Sequence, residues 1–333
     1  MRVIRVCAIL LLQLCNQTCS VDPRNVLAGR LISYKNGYYD GLNIVAIHNS
    51  TTTVPILSVF FTHGPSCEGD PTEQLFHSRS SDLGVTWSTP TALEQIGGDK
   101  HPYAVSHDGY QLVAPALGKA GGPRIYVLYS YNLFNVTQYP NGTLLPRSDM
   151  LAGGGNGNPS MFFRFSDDLG ESWSSKRYEI PIRVTKIDRD NPFQGRVVGL
   201  FNCDKPSIMS DNSVMFAYEK TFSCGYESQP SEAFFMRSPN LLHEQDPALV
   251  IWDSLPDGDT GLSNVNSRNR SNGEEVHVLQ VSNSSRLLAI WRTDVGFLAS
   301  SYSSDGGHSW SETEWLSYHG MSQPGSHAQV MLI

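Results

Sequence analysis

Side chains able to trade protons or hold charge fall in four groups along this chain. They are Tyr39, Asp40, His63, Cys67, Glu68 and Asp70; Lys100, His101 and Lys119; Asp204, Lys205 and Lys220; and Glu274, Glu275, Arg292 and Asp294. Carboxylates do acid–base work, while guanidinium, ammonium and imidazole groups hold anions. Gathered at one place, such a mixture suits an anionic sugar, which needs cations for its charge and carboxylates for proton transfer. Taken singly, each residue is an ordinary solvated charge. The question is whether the fold brings the groups together.

A repeat supplies the means. "SSDLGVTW", "SDDLGESW" and "SSDGGHSW" align as Ser80-x-Asp82-x-Gly84-x-Thr86-Trp87, Ser166-x-Asp168-x-Gly170-x-Ser172-Trp173 and Ser303-x-Asp305-x-Gly307-x-Ser309-Trp310. The pattern describes a tight hairpin turn. Aspartate accepts from turn amides, glycine takes positive φ, and tryptophan is expected to open the next strand as an apolar anchor. Ahead of each turn lies a strand–turn–strand pattern, in "VAIHNSTTTVPILSVFFTHG", "YAVSHDGYQLVAPALGKAGG" and "HVLQVSNSSRLLAIWRTDVG". A fourth copy, "SIMSDNSVMFAYEKTFSCG", precedes a decayed turn at Ser238 and Asn240 that lacks its glycine.

Four-stranded units recurring at a period of tens of residues are the mark of an all-β propeller of four-stranded blades; a β-sandwich has no reason to repeat one turn so closely. The blades are expected at about 43–95, 102–182, 204–256 and 275–317, with an insertion between Asn132 and Ser160. The final "SHAQVMLI" reads as the first strand of a fifth blade, so the ring is expected to be incomplete and the propeller domain, 21–333, to be truncated at its C-terminal side. Because strands alternate in direction, the repeated turns lie on one face of the propeller. The starts of first strands and the ends of second strands lie on the other, where all four charged groups are expected to form a mouth. The turn aspartates then read as structural, not catalytic.

Composition agrees. Apolar residues make up 40% and charged residues 17% of the 333, and the formal net charge is −8, which argues against nucleic acid as a partner. Residues 1–20 have Arg2 and Arg5 ahead of a short apolar run and small residues near Cys19 and Ser20, the layout of a secretory signal peptide. The run is shorter than the ~20 residues that span a bilayer, so no membrane span is expected. Asn49, Asn135, Asn141, Asn269 and Asn283 sit in Asn-X-Ser/Thr sequons, which suits a secreted glycoprotein. After cleavage Cys67, Cys203 and Cys224 remain; Cys203 and Cys224 fall at adjoining strand ends where a disulfide is geometrically feasible. No cluster has metal-ligand spacing and no Gly-rich loop joins a strand to a helix, so neither metal nor cofactor is expected.

These turns, from about residue 43 onward, resemble the Asp boxes of the sialidase (neuraminidase) superfamily, whose members are six-bladed propellers. "EEVHVLQVSNSSRLLAIWRTDVGFLASSYSSDGGHSW" is similar to the sialidase segment in which a glutamate opens one strand, an arginine ends the next and an Asp box follows. The resemblance implies that Glu275 is the general base behind a tyrosine nucleophile, that Arg292 is one of three arginines clamping the sialic acid carboxylate, and that Asp70 in "GDPTEQLFHSRSSDLGVTW" is the acid–base aspartate. Lys205 and His101 are the further substrate-binding candidates. Asn43 stands where the family has its first arginine. The implied activity is release of terminal sialic acid, or a related acidic sugar, from glycans. A secreted, non-catalytic propeller that binds glycans or proteins is the rival reading, and a polysaccharide lyase with a Tyr/His pair at the mouth is the third.

Overall fold

Runs such as "RIYVLYSY" and "VMFAYEKT" are apolar on both alternations, which is the pattern of a strand covered on both faces. The computed structural model describes residues 5–6, 29–33, 36–50, 52–66, 73–94, 106–131, 138–143, 161–222, 230–263, 273–282, 284–293 and 298–316, and in it these runs are the second strands of two inner blades. A short pair, β1 (Arg5–Val6) and β2 (Arg30–Leu31), precedes them. Blade 1 is β3 (Tyr38–Ile47), β4 (Ile56–Gly64), β5 (Gln74–Ser80) and β6 (Thr91–Ala92). Blade 2 is β7 (Ser106–Ala114), β8 (Arg124–Tyr131), β9 (Met161–Ser166) and β10 (Tyr178–Ile180). A short helix, α1 (Lys186–Asp190), leads to blade 3, whose first strand is split into β11 (Gly199–Phe201) and β12 (Ser207–Ile208), followed by β13 (Val214–Thr221), β14 (Ser231–Ser238) and β15 (Asp253–Leu255). Blade 4 is β16 (Glu274–Gln280), β17 (Leu287–Arg292), β18 (Leu298–Ser303) and β19 (Glu314–Leu316). Each sheet is antiparallel and pairs its strands in chain order, so the four form a four-bladed β-propeller on the expected boundaries.

Two-residue alternation makes the seams. On β8, Ile125, Val127 and Tyr129 face blade 1 and meet Ile47, Phe60 and Leu75, while Tyr126 and Leu128 face blade 3 and meet Phe216 and Phe234. On β13, Val214, Phe216 and Tyr218 face blade 2, while Met215 and Ala217 face blade 4 and pack on Val276, Val278 and Trp291. Every blade is thus glued to the next by buried apolar surface.

The repeated turns close as their composition requires. Ser80 Oγ donates to Asp82 Oδ1 at 2.7 Å and accepts the Gly84 amide at 2.8 Å, and Asp82 accepts the Thr86 amide and hydroxyl at 2.8 and 2.6 Å. Those bonds hold the Asp82 carboxyl down at about 2. Gly84, Gly170 and Gly307 have φ of 83°, 82° and 98°. In the decayed turn Ser238 still accepts the Leu241 amide at 3.1 Å.

Two expectations need correction. The tryptophans do not open the next strands: Trp173 and Trp310 precede β10 and β19 and reach back to the preceding blade. Trp173 packs edge-on against Phe60 at 5.0 Å, and Trp310 stacks on Phe235 at 4.4 Å. In blade 2, "HDGY" is not a turn but the bulged middle of β7, because Gly109 is pressed by Leu75 of blade 1; a β-carbon there would lie 2.3 Å from Leu75 Cδ2. The first hairpin of that blade turns instead at residues 115–123, which puts Lys119 on the face of the repeated turns, away from the mouth.

Candidate active site at the mouth

Three inner strands carry a bulge at the mouth end, in the same place. Gly41 and Leu42 oppose Phe61 in blade 1, Asp108 and Gly109 oppose Tyr129 in blade 2, and Glu275 and Val276 oppose Trp291 in blade 4. Register therefore makes Gly41 and Glu275 equivalent. Both are left-handed, with φ of 58° and 47°. Glycine adopts that conformation without strain, whereas a residue with a β-carbon is disfavoured there by about 1 kcal/mol. A left-handed glutamate kept where blade 1 uses glycine marks a position held for something other than folding.

Glu275 is held from two sides. Its amide donates to Glu219 Oε2 of β13, across the seam between blades 3 and 4, and its Oε1 accepts from Arg292 Nη1 at 2.9 Å. Glu219 and Glu274 are buried, and Arg292 is partly exposed. Burial alone would weaken the Arg292 cation, but Glu275, Glu274 and Glu219 outweigh it and raise its pKa. Next to this cluster, Asp204 lies between β11 and β12. Its Oδ2 accepts the amides of Ala217 and Val278 at 2.7 and 3.2 Å, and its Oδ1 meets His277 Nδ1 at 2.9 Å. Burial pushes the Asp204 carboxyl up in spite of these donors.

The sequence-derived candidates divide accordingly. Glu275 and Arg292 are brought into contact. Lys205 follows Asp204 and is exposed at the residue level, though the surrounding protein lowers its pKa. Asp70 and His101 lie outside the described residues, as do Cys67, Glu68, Lys100, Cys224 and Asp294. Tyr39, Asp40 and His63 are at the mouth end of blade 1, where Tyr39 stacks on His63 at 4.4 Å and Asp40 accepts the Gly41 amide at 2.7 Å. Lys220 is not available to a ligand: its fully buried ammonium donates to Asp188 Oδ2 at 2.5 Å and to Thr185 Oγ1 at 3.1 Å, tying α1 to blade 3. Asn43 is also internal, with Oδ1 accepting the Gln111 amide at 2.9 Å. Sequence reading missed Glu219 and His277. The second had a signal, since it stands two residues after Glu275 on an alternating strand; the first is marked only by its place across the seam.

Among the described residues no group of three or more His, Cys, Asp or Glu is placed to hold a metal ion, and no helix is long and apolar enough to cross a membrane. No family model matches the sequence, and no curated protein matches it significantly. Solved structures do match. The chain is similar to a protein of unknown function from Dyadobacter fermentans DSM 18053, with a TM-score of 0.52 at 16% identity over 86% of this chain and 72% of that one. It is similar to a mutant of Trypanosoma rangeli sialidase displaying trans-sialidase activity, with a TM-score of 0.52 at 13% identity over 86% of this chain and 39% of that one. The Hadza microbial sialidase Hz136 matches with a TM-score of 0.48 at 17% identity over 82% of this chain, which spans 46% of its length. At these identities the likeness concerns the backbone, and it shows that the four blades are folded as in the sialidase propeller.

Proposed function

We propose that the chain is a secreted, glycosylated, sialidase-like glycoside hydrolase, releasing terminal sialic acid or a related acidic sugar from glycans. The observation that carries this reading is the Glu275–Arg292 pair, set at 2.9 Å on a left-handed bulge at the mouth of a sialidase-type propeller. A strained carboxylate paired with a guanidinium is suited to a substrate that brings its own carboxylate: the anion takes the fork of Arg292 and leaves Glu275 to accept a proton. Asp70 is assigned the proton transfer to the leaving oxygen.

The test is turnover of a fluorogenic α-ketoside of sialic acid by the wild type and by Glu275→Gln. We expect a loss of at least ~100-fold in the variant, the usual scale for removing a general base. Turnover unchanged in Glu275→Gln removes the assignment. A non-catalytic glycan-binding propeller is favoured by one observation, that Asn43 is sealed inside a seam where the resemblance implies an arginine. Saturable binding of sialyllactose by a wild type that shows no turnover would establish that second reading.

A further inference from the structure

We propose that His277, aimed by Asp204, is a proton-transfer group of this mouth, presenting an unprotonated Nε2 to an attacking water or hydroxyl. For its substrate the inference rests on the glycosidase reading above; for its chemistry it rests on a comparison within the molecule.

Asn43 and Asp204 perform the same structural task. Asn43 Oδ1 accepts the amide of Gln111, and Asp204 Oδ2 accepts the amide of Val278, two residues that follow their bulges by the same offset. At the first seam an amide side chain is enough. At the last, a carboxylate of 3% exposure is used, although an ionised group is far harder to bury. What the carboxylate adds is its other oxygen, which meets His277 Nδ1 at 2.9 Å. A carboxylate only accepts, so it places the ring proton on Nδ1 and the lone pair on Nε2. Nε2 has no hydrogen-bond partner among the described residues, and the side chain is 14% exposed. This is an imidazole with one nitrogen fixed and the other open, the arrangement in which an aspartate orients a histidine base.

The ring is also on the right part of the blade. Along β16, Glu275 and His277 are half-buried while Glu274, Val276 and Val278 are buried. In hydrolysis, Nε2 takes a proton from water as the water oxygen bonds to the sugar carbon and the bond from that carbon to the leaving oxygen breaks. The leaving oxygen takes its proton from the acid assigned above, and the imidazolium gives its own back to solvent, so the ring ends as it began.

The test uses the full chain labelled with 15N-histidine, and the same fluorogenic ketoside. The long-range 1H–15N spectrum of the wild type is expected to show His277 protonated at Nδ1. In Asp204→Asn, the amide oxygen keeps the ties to Ala217 and Val278 and its NH2 faces the ring, so the tautomer inverts to Nε2–H while Tm is retained. Turnover falls by about 100-fold or more in Asp204→Asn and in His277→Gln. An Nε2–H ring in the wild type, a spectrum unmoved by Asp204→Asn, or full turnover in His277→Gln overturns the proposal. A wild type without turnover would sink the glycosidase reading, and the tautomer spectra would still decide whether Asp204 orients the ring.

Discussion

Between blades 1 and 2, Trp173 reaches back onto Phe60 and His77; between blades 3 and 4, Trp310 reaches back onto Phe235. Each seam is then tied by one side chain to the amide of the next inner strand. Their fillings differ. At the first seam Trp173 Nε1 donates to His77 Nδ1, so the other ring nitrogen carries the proton and donates to Ser58 Oγ at 2.9 Å, and Ser58 donates to Gln111 Oε1 at 2.5 Å. Both nitrogens of His77 are used, every partner is neutral, and the ring is 5% exposed. At the last seam the mouth end holds Asp204, His277, Glu219, Glu275 and Arg292, a charged cluster in which Arg292 stays partly exposed. The first seam has charge too, but as ion pairs that join its two blades: Arg79 meets Glu171 at 2.7 Å, and Arg164 meets Glu94 at 2.9 Å, with Tyr129 donating to the same Glu94 carboxylate. The charged groups of the last seam stand at the mouth, and that placement is why they point to function.

The comparison can be broken first at the packing both seams share. Phe60, fully buried at the first seam, should cost about 3–5 kcal/mol on truncation to alanine, read as a shift in the urea midpoint at constant slope. A loss below about 1 kcal/mol would mean that the seam carries little of the stability.

Acid sharpens it next. Burial, with a smaller push from Arg79, lowers the His77 pKa from 6.5 to about 4. The unfolded chain therefore binds a proton that the folded chain refuses. Stability is complete above pH 6.5 and falls as pH drops towards about 4, by about 3 kcal/mol in all from this one group. Urea titrations at pH 7 and pH 4.5 measure it. The slope should shrink in His77→Gln, and a slope that persists unchanged there assigns the acid sensitivity elsewhere.

The smallest effect separates folding from function most cleanly. Glu275→Gly returns blade 4 to the glycine used in blade 1, and should raise stability by up to about 1 kcal/mol while abolishing turnover. A clear loss of stability would show that the Arg292 contact outweighs the strain.

Much of this architecture is readable in one dimension because its determinants are local. The Ser-x-Asp-x-Gly turns satisfy themselves within a few residues, as in the bond from the Thr86 amide to Asp82 four positions away, and the apolar alternation of β8 and β13 marks strands covered on both sides. Blade number, blade order and the side on which the mouth lies follow from those signals. "HDGY" shows where local reading fails, since Asp-Gly favours a turn in isolation and only the side chain of Leu75, from another blade, makes that glycine part of a strand. Lys220 likewise looks like any loop cation until Asp188, 32 residues earlier, is found against it.

From its sequence alone this protein is a propeller with four visible blades and a charged mouth that includes Glu275 and Arg292, because turn chemistry and two-residue periodicity act between near neighbours. Tertiary structure decided the rest: that Glu219 holds the Glu275 amide from 56 residues away, that Asp204 meets His277 across 73, and that Asn43 is a seam tie. Those choices depend on how one blade's edge registers against the next, and burial of the contact surfaces, not the preference of any short segment, sets that register.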